Sequence, residues 1–337
     1  MTAPQRPAPL VRSGLAPLFA LALPLVSLVS LGLSGCKACS KDKEAAEPEV
    51  QPGADDPTAR PAARAGQWYA GSAKKLDKQI GDLIGATGAK PEGKAFAVLT
   101  PHGGVKHSGP TAAEVWARVE APPVVVVIAP NHFKEGERLA IWTEGPWLVP
   151  GHALAVDANL TAKARVHMPQ LVPDRAAFSH HEVELQMPYL QYVRPDVRMV
   201  LISLRDNEKQ HFQGTSKEEI QALGAGLAAF LQQLEAEGVD FTLVITTDLV
   251  HYVPVEQSDD QDTKLMQYIT TYDVDGLFDY VKADKVSICG ELPAAVGMTA
   301  LKQLGKPPLQ WQTRGNNLKQ SKKPEAVVGY PGGILWR

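Results

Sequence analysis

Two hydrophobic patterns alternate along this chain. Residues 95–99, 124–128, 198–203 and 241–246 are short apolar runs, each too short for a helix. The second is unbroken and β-branched, the mark of a strand buried on both faces of a parallel sheet. Between these runs, apolar residues recur at helical spacing. Leu76, Ile80, Leu83 and Ile84 do so with Lys74, Lys75, Lys78 and Asp82 among them. Ile220, Leu223, Leu227, Phe230, Leu231 and Leu234 form a longer amphipathic stretch. Ser216 with Glu219 three residues on makes a capping box for that helix, and Gly238 ends it. The pattern predicts further helices over 111–119, 161–166, 259–272, 274–281 and 293–304. Val183, Met187 and Leu190 mark one helical face. Residues 139–142 read as a strand and 147–157 as a loop. Closing strands are expected at 326–328 and 332–336, around a turn at Tyr330-Pro331. Strands alternating with helices predict an α/β fold: one three-layer domain, a central mostly parallel sheet with helices on both faces.

The first 64 residues follow neither pattern. Arg6 and Arg12 precede an apolar run from Leu15 to Leu33, and then comes Leu33-Ser34-Gly35-Cys36. Small residues before a cysteine, after a hydrophobic core, resemble the lipobox of a bacterial lipoprotein signal. That implies cleavage before Cys36 and a lipid on its sulfur and new amine; an uncleaved membrane anchor is the alternative. Lys37 stands where an Asp would retain the protein at the inner membrane, so an outer-membrane lipoprotein is expected. Residues from Ser40 to about Ala65 are Lys/Glu and then Pro/Ala/Asp/Gln, a solvated linker. The expected organisation is therefore a signal peptide over 1–35, a lipidated cysteine and linker over 36–64, and the α/β domain over 65–337.

Charge removes one class of partner. The formal net charge is −3, and the first 35 residues contribute only two arginines to it. No basic block suits nucleic acid. The three cysteines matter more. Cys36 is spent on lipid, Cys39 lies in the tether, and Cys289 stands alone in the domain. It precedes a helix start, where free N–H groups and the helix dipole favour a thiolate. An oxidising compartment punishes an idle exposed thiol, which argues for burial or metal ligation; pairing with Cys39 is an alternative.

Ionisable residues gather where strands end. The first strand runs into Pro101-His102, the second into Pro130-Asn131-His132, and the fourth into Thr247-Asp248 and His251. In open α/β sheets the ligand crevice lies beyond the carboxyl ends of the strands. Two imidazoles and a thiolate suit a transition metal such as iron, copper or zinc. Asp248 could orient an imidazole or accept a proton, and His251 could ligate or act as acid or base. Each has a plainer explanation: a histidine bonded to a carbonyl, an aspartate capping a turn, a cysteine as apolar filler. His107, in a Gly-flanked loop, is a candidate for the crevice wall. His181 and Glu184, one helical turn apart, are candidates to reach the site from one face; a surface pair is the alternative. His152, His167 and His211 fall in loops or on helix surfaces and read as solvated.

Taken together, Ala65-Gly66-x-Trp68-Tyr69, Pro101-His102-x-Gly104, Pro130-Asn131-His132, His181-x-x-Glu184-x-x-x-Pro188-Tyr189, Thr247-Asp248-x-x-His251 and Ile288-Cys289-Gly290 resemble the Memo family. Its bacterial and archaeal members are called AmmeMemoRadiSam system protein B. The resemblance implies a fold like the LigB-type class III extradiol dioxygenases. It also implies a metal site on His102, His132 and Cys289, with Asp248 and His251 beside it as catalytic candidates. Iron(II) is the expected ion, with copper or zinc as alternatives, and redox chemistry is the expected activity. This chain departs from the family pattern at Val105 and His107, where aromatic residues are common. Cys289 stands where extradiol enzymes use a carboxylate. An exported, lipid-anchored member is also separated from the cytosolic radical-SAM partner that the family name records.

Three functions compete at this point. The first is a membrane-tethered metal-dependent redox protein, an oxidoreductase or dioxygenase-like enzyme acting on an unknown small molecule or peptide. The second is a non-catalytic envelope protein that binds a metal or a peptide. The third is a metal-dependent hydrolase using Asp248 or His251 as base.

Overall fold

A computed structural model describes residues 53–206, 211–284 and 286–337. The leader, Cys36, Cys39 and most of the expected tether lie outside the described residues. In chain order the elements are α1 (Ala73–Thr87), β1 (Ala95–Thr100), α2 (Val105–Trp116), β2 (Val124–Pro130), β3 (Leu139–Ile141), β4 (Trp147–Val149), β5 (His152–Val156), α3 (Ala158–His167), β6 (Val172–Pro173), α4 (Met187–Val193), β7 (Arg198–Leu204), α5 (Lys217–Ala236), β8 (Phe241–Thr246), β9 (His251–Val253), α6 (Val255–Thr271), α7 (Val274–Asp284), α8 (Glu291–Gln303), β10 (Trp311–Asn316), α9 (Leu318–Ser321) and β11 (Val327–Trp336). None of these helices is long and apolar enough to cross a membrane.

The sheet runs β10-β11-β1-β8-β2-β7-β3-β6. Its centre, β1, β8, β2 and β7, is parallel throughout. These are the apolar runs of the sequence, and all of their residues but Arg198 are buried. Helices cover both faces. On one, α1, α2 and α4 close over Val125, Val127, Leu201 and Val244. On the other, α3 and α5 to α8 close over Val126, Ile128, Ile202 and Ile245. A fully buried Val, Leu or Ile contributes about 1.5–3 kcal/mol, so these two layers hold the sheet rigid beneath its loops. A mostly parallel sheet between two helical layers is thus the observed architecture. Antiparallel β11 flanks the block beside β1, and on the other side β7 pairs with antiparallel β3 near its carboxyl end and with parallel β5 near its start.

Several expected boundaries move. Helix α2 begins at Val105 and runs through Pro110, so His107 lies in its first turn and not in a loop. The proline lacks an amide N–H, which hid the earlier start. Residues 147–157 contain the hairpin β4–β5, with β5 continuing the sheet beside β7. The closing segment is one continuous strand, and Pro331 does not break it. Pairing with β1 extends only to Gly333, so the missing N–H of Pro331 costs no bond on that side.

The linker is shorter than its composition suggests. Arg60 N donates to the Pro146 carbonyl at 2.8 Å, and Leu148 N donates to the Arg60 carbonyl at 2.9 Å. The guanidinium lies 4.2 Å from the Trp147 ring centroid and 2.6 Å from Glu184. A buried cation with a buried partner belongs to the domain, which therefore starts before Ala65.

Candidate metal centre

Because β1, β2 and β8 are parallel, their carboxyl ends open on one side of the sheet. His102 follows β1, His132 follows β2, and Asp248 and His251 follow β8. Cys289 is brought alongside by a bridge in which Asp248 N donates to its carbonyl at 3.2 Å. The Thr247 hydroxyl donates to the same carbonyl at 2.7 Å. Gly290 then turns the chain into α8 with φ 109°, a conformation that favours glycine.

Three donor atoms converge. His102 Nε2 lies 3.1 Å from His132 Nε2 and 3.2 Å from Cys289 Sγ. Those spacings match ligands around one ion, with metal–nitrogen bonds near 2.0–2.1 Å and metal–sulfur bonds near 2.3 Å. The supporting contacts fit the same purpose. His102 Nδ1 lies 3.1 Å from Thr246 Oγ1, which also accepts from Gln186 Nε2 at 3.2 Å. With Nδ1–H donating to the threonine, Nε2 keeps its lone pair toward the cluster. Asp248 Oδ1 accepts from His102 N at 2.9 Å and Gly103 N at 3.3 Å, so this carboxylate fixes the backbone of the first histidine. His251 Nδ1 lies 2.9 Å from the Ser287 carbonyl, and its Nε2 lies 3.4 Å from Cys289 Sγ.

Burial governs the electrostatics. It pushes His102 down to about 3, helped by charge on His251. Burial also holds His132 well below its ordinary value, followed by His102 and His251. Both rings are therefore neutral at pH 7, the form in which an imidazole can ligate a metal. Asp248 is pushed up to about 6 by burial, which charge on His251 and its N–H donors only partly offset. Burial, reinforced by the Asp248 carboxylate, raises the Cys289 thiol well above its ordinary value. This corrects the expectation of a thiolate favoured by the helix start. Without a cation, low dielectric outweighs the helix dipole.

The centre forms the floor of a crevice of about 800 Å³. Trp68, Phe133, Tyr252 and Tyr330 stand on its walls with Lys323 at one edge. His107 and His181 line it. Glu184 does not. It turns away and accepts from Arg60 at 2.6 Å, from Arg64 N at 2.7 Å and from the Tyr69 hydroxyl at 2.7 Å. The helical periodicity that paired it with His181 begins only at residue 184, with a 3-10 turn ahead of α4. A carboxylate that does touch a residue of the centre is Glu182, whose Oε1 accepts from His132 N at 3.3 Å. Its place in the run His180-His181-Glu182 was the available signal.

The model of the Memo-like protein family matches residues 60–334. The chain belongs to the Memo family. A MEMO1 family protein of Methanopyrus kandleri is 31% identical over 299 residues, covering 82% of this chain and 99% of the relative. One from Aquifex aeolicus is 30% identical over 248 residues, covering 73% and 87%. Similarity to the Memo family starts at the ion-paired Arg60, in agreement with the structural start of the domain.

Proposed function

We propose that this Memo-family chain is a transition-metal-binding redox protein held at a bacterial membrane by a lipid on Cys36. The observation that carries the metal assignment is the convergence of His102, His132 and Cys289 within 3.2 Å steps at the carboxyl ends of the sheet. The donor set fits iron or copper, with zinc less suited to redox work. When bound, such an ion supplies one-electron chemistry and open coordination positions. The chain's own residues do the rest. Thr246 and Gln186 orient His102, Asp248 pins its backbone, and His251 stands ready to take or return a proton beside Cys289. Trp68 and Tyr330 narrow the crevice, and Phe133 and Tyr252, 54% and 76% exposed, offer rings to an incoming small molecule or peptide. Those exposed rings also support a second reading, a non-catalytic envelope protein that binds a metal or a peptide.

Metal analysis of anaerobically purified protein beside Cys289→Ser and His132→Ala tests the centre. About one ion per chain is expected in the parent, with strong loss in both variants and unchanged circular dichroism. Unchanged metal content in both would remove the assignment. Oxygen uptake by the iron-loaded protein separates the redox reading from the binding one. Incorporation of labelled fatty acid, lost in Cys36→Ser, tests the anchor.

A further inference from the structure

Two buried donors beside His132 have no role in the centre described above: His181, which lines the crevice, and its neighbour Glu182. His181 is 7% exposed, and its Nδ1 has no hydrogen-bond partner among the described residues. Glu182 is 4% exposed, and its Oε1 accepts a long 3.3 Å bond from His132 N. Among the described residues, the groups within ion-pair distance of Glu182 are two imidazoles: His181 Nδ1 at 3.9 Å and His132 Nε2 at 4.0 Å. All three ligand atoms lie within 4.8 Å of one another. Trp68, 4.2 Å from His181 between ring centroids, holds that ring in place.

A buried polar atom left without a partner is costly, and a charged one more so. Here a carboxylate oxygen and an imidazole nitrogen face one gap. Separations near 4 Å are too long for hydrogen bonds. An ion roughly 2.0–2.2 Å from each donor spans them after a small closing movement. Such an ion would satisfy the carboxylate and the orphaned nitrogen at once.

We propose that His132, His181 and Glu182 form a second metal station that shares His132 with the first. Both stations use Nε2 of His132, so one ion occupies one station at a time. The donor sets differ in softness. The thiolate set selects copper(I), zinc or iron, whereas two imidazoles and a carboxylate suit harder divalent ions such as manganese(II) or iron(II). The metal supplied therefore decides which wall of the crevice holds it. This inference goes beyond the function proposed above and stands even if Cys289 is not a ligand.

Manganese(II) is the probe, followed by loss of its free-ion electron paramagnetic resonance signal on titration into the full chain carrying Cys36→Ser and Cys39→Ser. Removing the thiolate with Cys289→Ala is expected to leave manganese(II) affinity unchanged. Glu182→Gln and His181→Asn are each expected to weaken it by about tenfold or more, with the fold checked by circular dichroism. If Glu182→Gln fails to fold, His181→Asn carries the test. Absence of manganese(II) binding to the parent overturns the proposal. So does binding that Cys289→Ala abolishes, or that Glu182→Gln and His181→Asn leave intact. Failure of the first station reads differently: copper or iron content that survives Cys289→Ala, whatever manganese(II) does.

Discussion

His251 Nδ1 sits 2.9 Å from the main-chain carbonyl of Ser287. A carbonyl only accepts, so Nδ1 carries a proton, and in the neutral ring Nε2 presents its lone pair 3.4 Å from Cys289 Sγ. The tautomer of the neutral ring is thus set by a backbone atom that no side-chain substitution can remove. In the metal-free protein Nε2 is the natural acceptor for the thiol proton. His251→Ala is expected to slow alkylation of Cys289 by iodoacetamide several-fold at pH 7.5. Mass spectrometry of the Cys289 peptide measures this, with Cys36 and Cys39 replaced by Ser. An unchanged rate would show that His251 does not handle that proton.

Metal binding at the first station should release a proton, and the donor responsible can be named. His102, held down to about 3, and His132, well below its usual value, carry no proton to lose near neutrality. Cys289, pushed up by burial, does. At pH 8 Asp248 (about 6) and Glu182 (about 7) are mostly ionised already. One thiol proton displaced per ion makes affinity rise about tenfold per pH unit there. Towards pH 6 the proton on Asp248, beside the station, competes as well, and the dependence steepens. Titrations in weakly and strongly ionising buffers measure the proton count. Cys289→Ser is expected to bring it near zero at pH 8; a parent protein that releases none has no sulfur ligand.

Much of this arrangement was legible from sequence because a buried parallel strand announces itself twice. Its run is uninterrupted, and its carboxyl end opens on the ligand side. From sequence alone, that places His102, His132 and the Asp248–His251 turn on the same side of the sheet. What stayed hidden depended on partners distant in sequence. Glu184 reads as a crevice residue until Arg60, 124 positions away, draws it into the interior. Residues near Arg60 look solvated by composition because the tryptophan and glutamate that bury its guanidinium come much later. The protonation of Cys289 is hidden from the sequence for a similar reason. Helix starts are visible in sequence, whereas the burial that overrides their dipole is a property of the assembled walls. The resemblance to Memo proteins carried the metal ligands, and the spacings alone did not.

The Arg60–Glu184 pair sets the shortest stable form of the domain. A chain beginning at residue 65 loses the guanidinium and the Arg64 N–H that Glu184 accepts from. Its carboxylate, 0% exposed, then keeps the Tyr69 hydroxyl and little else. Breaking a buried pair from one side costs about 3–5 kcal/mol, because the remaining charge has no compensation. Urea unfolding of chains starting at residues 53 and 65 is expected to differ by that amount. Glu184→Gln should recover part of the loss in the shorter chain only. Equal midpoints for the two starts would return residues 53–64 to the tether.

Gly290 offers a test of how tightly the Cys289 backbone is set. Its φ of 109° disfavours any side chain, and an added Cβ would lie 2.9 Å from Thr247 Cβ and Oγ1 and 3.0 Å from the Thr246 carbonyl. Thr247 is the residue whose hydroxyl holds the Cys289 carbonyl, so relief of the clash must move the thiol. Gly290→Ala is expected to cost about 1–3 kcal/mol of stability and to lower metal affinity at the thiolate station. Gly238→Ala is the matched control. It too has positive φ, 71°, but nothing lies within 4 Å of its added Cβ. It should therefore lose about 1 kcal/mol and keep its metal. Equilibrium unfolding and metal titration of both variants separate backbone strain from displacement of the sulfur. If both lose stability equally and both keep the parent's affinity, the turn at 290 does not position Cys289.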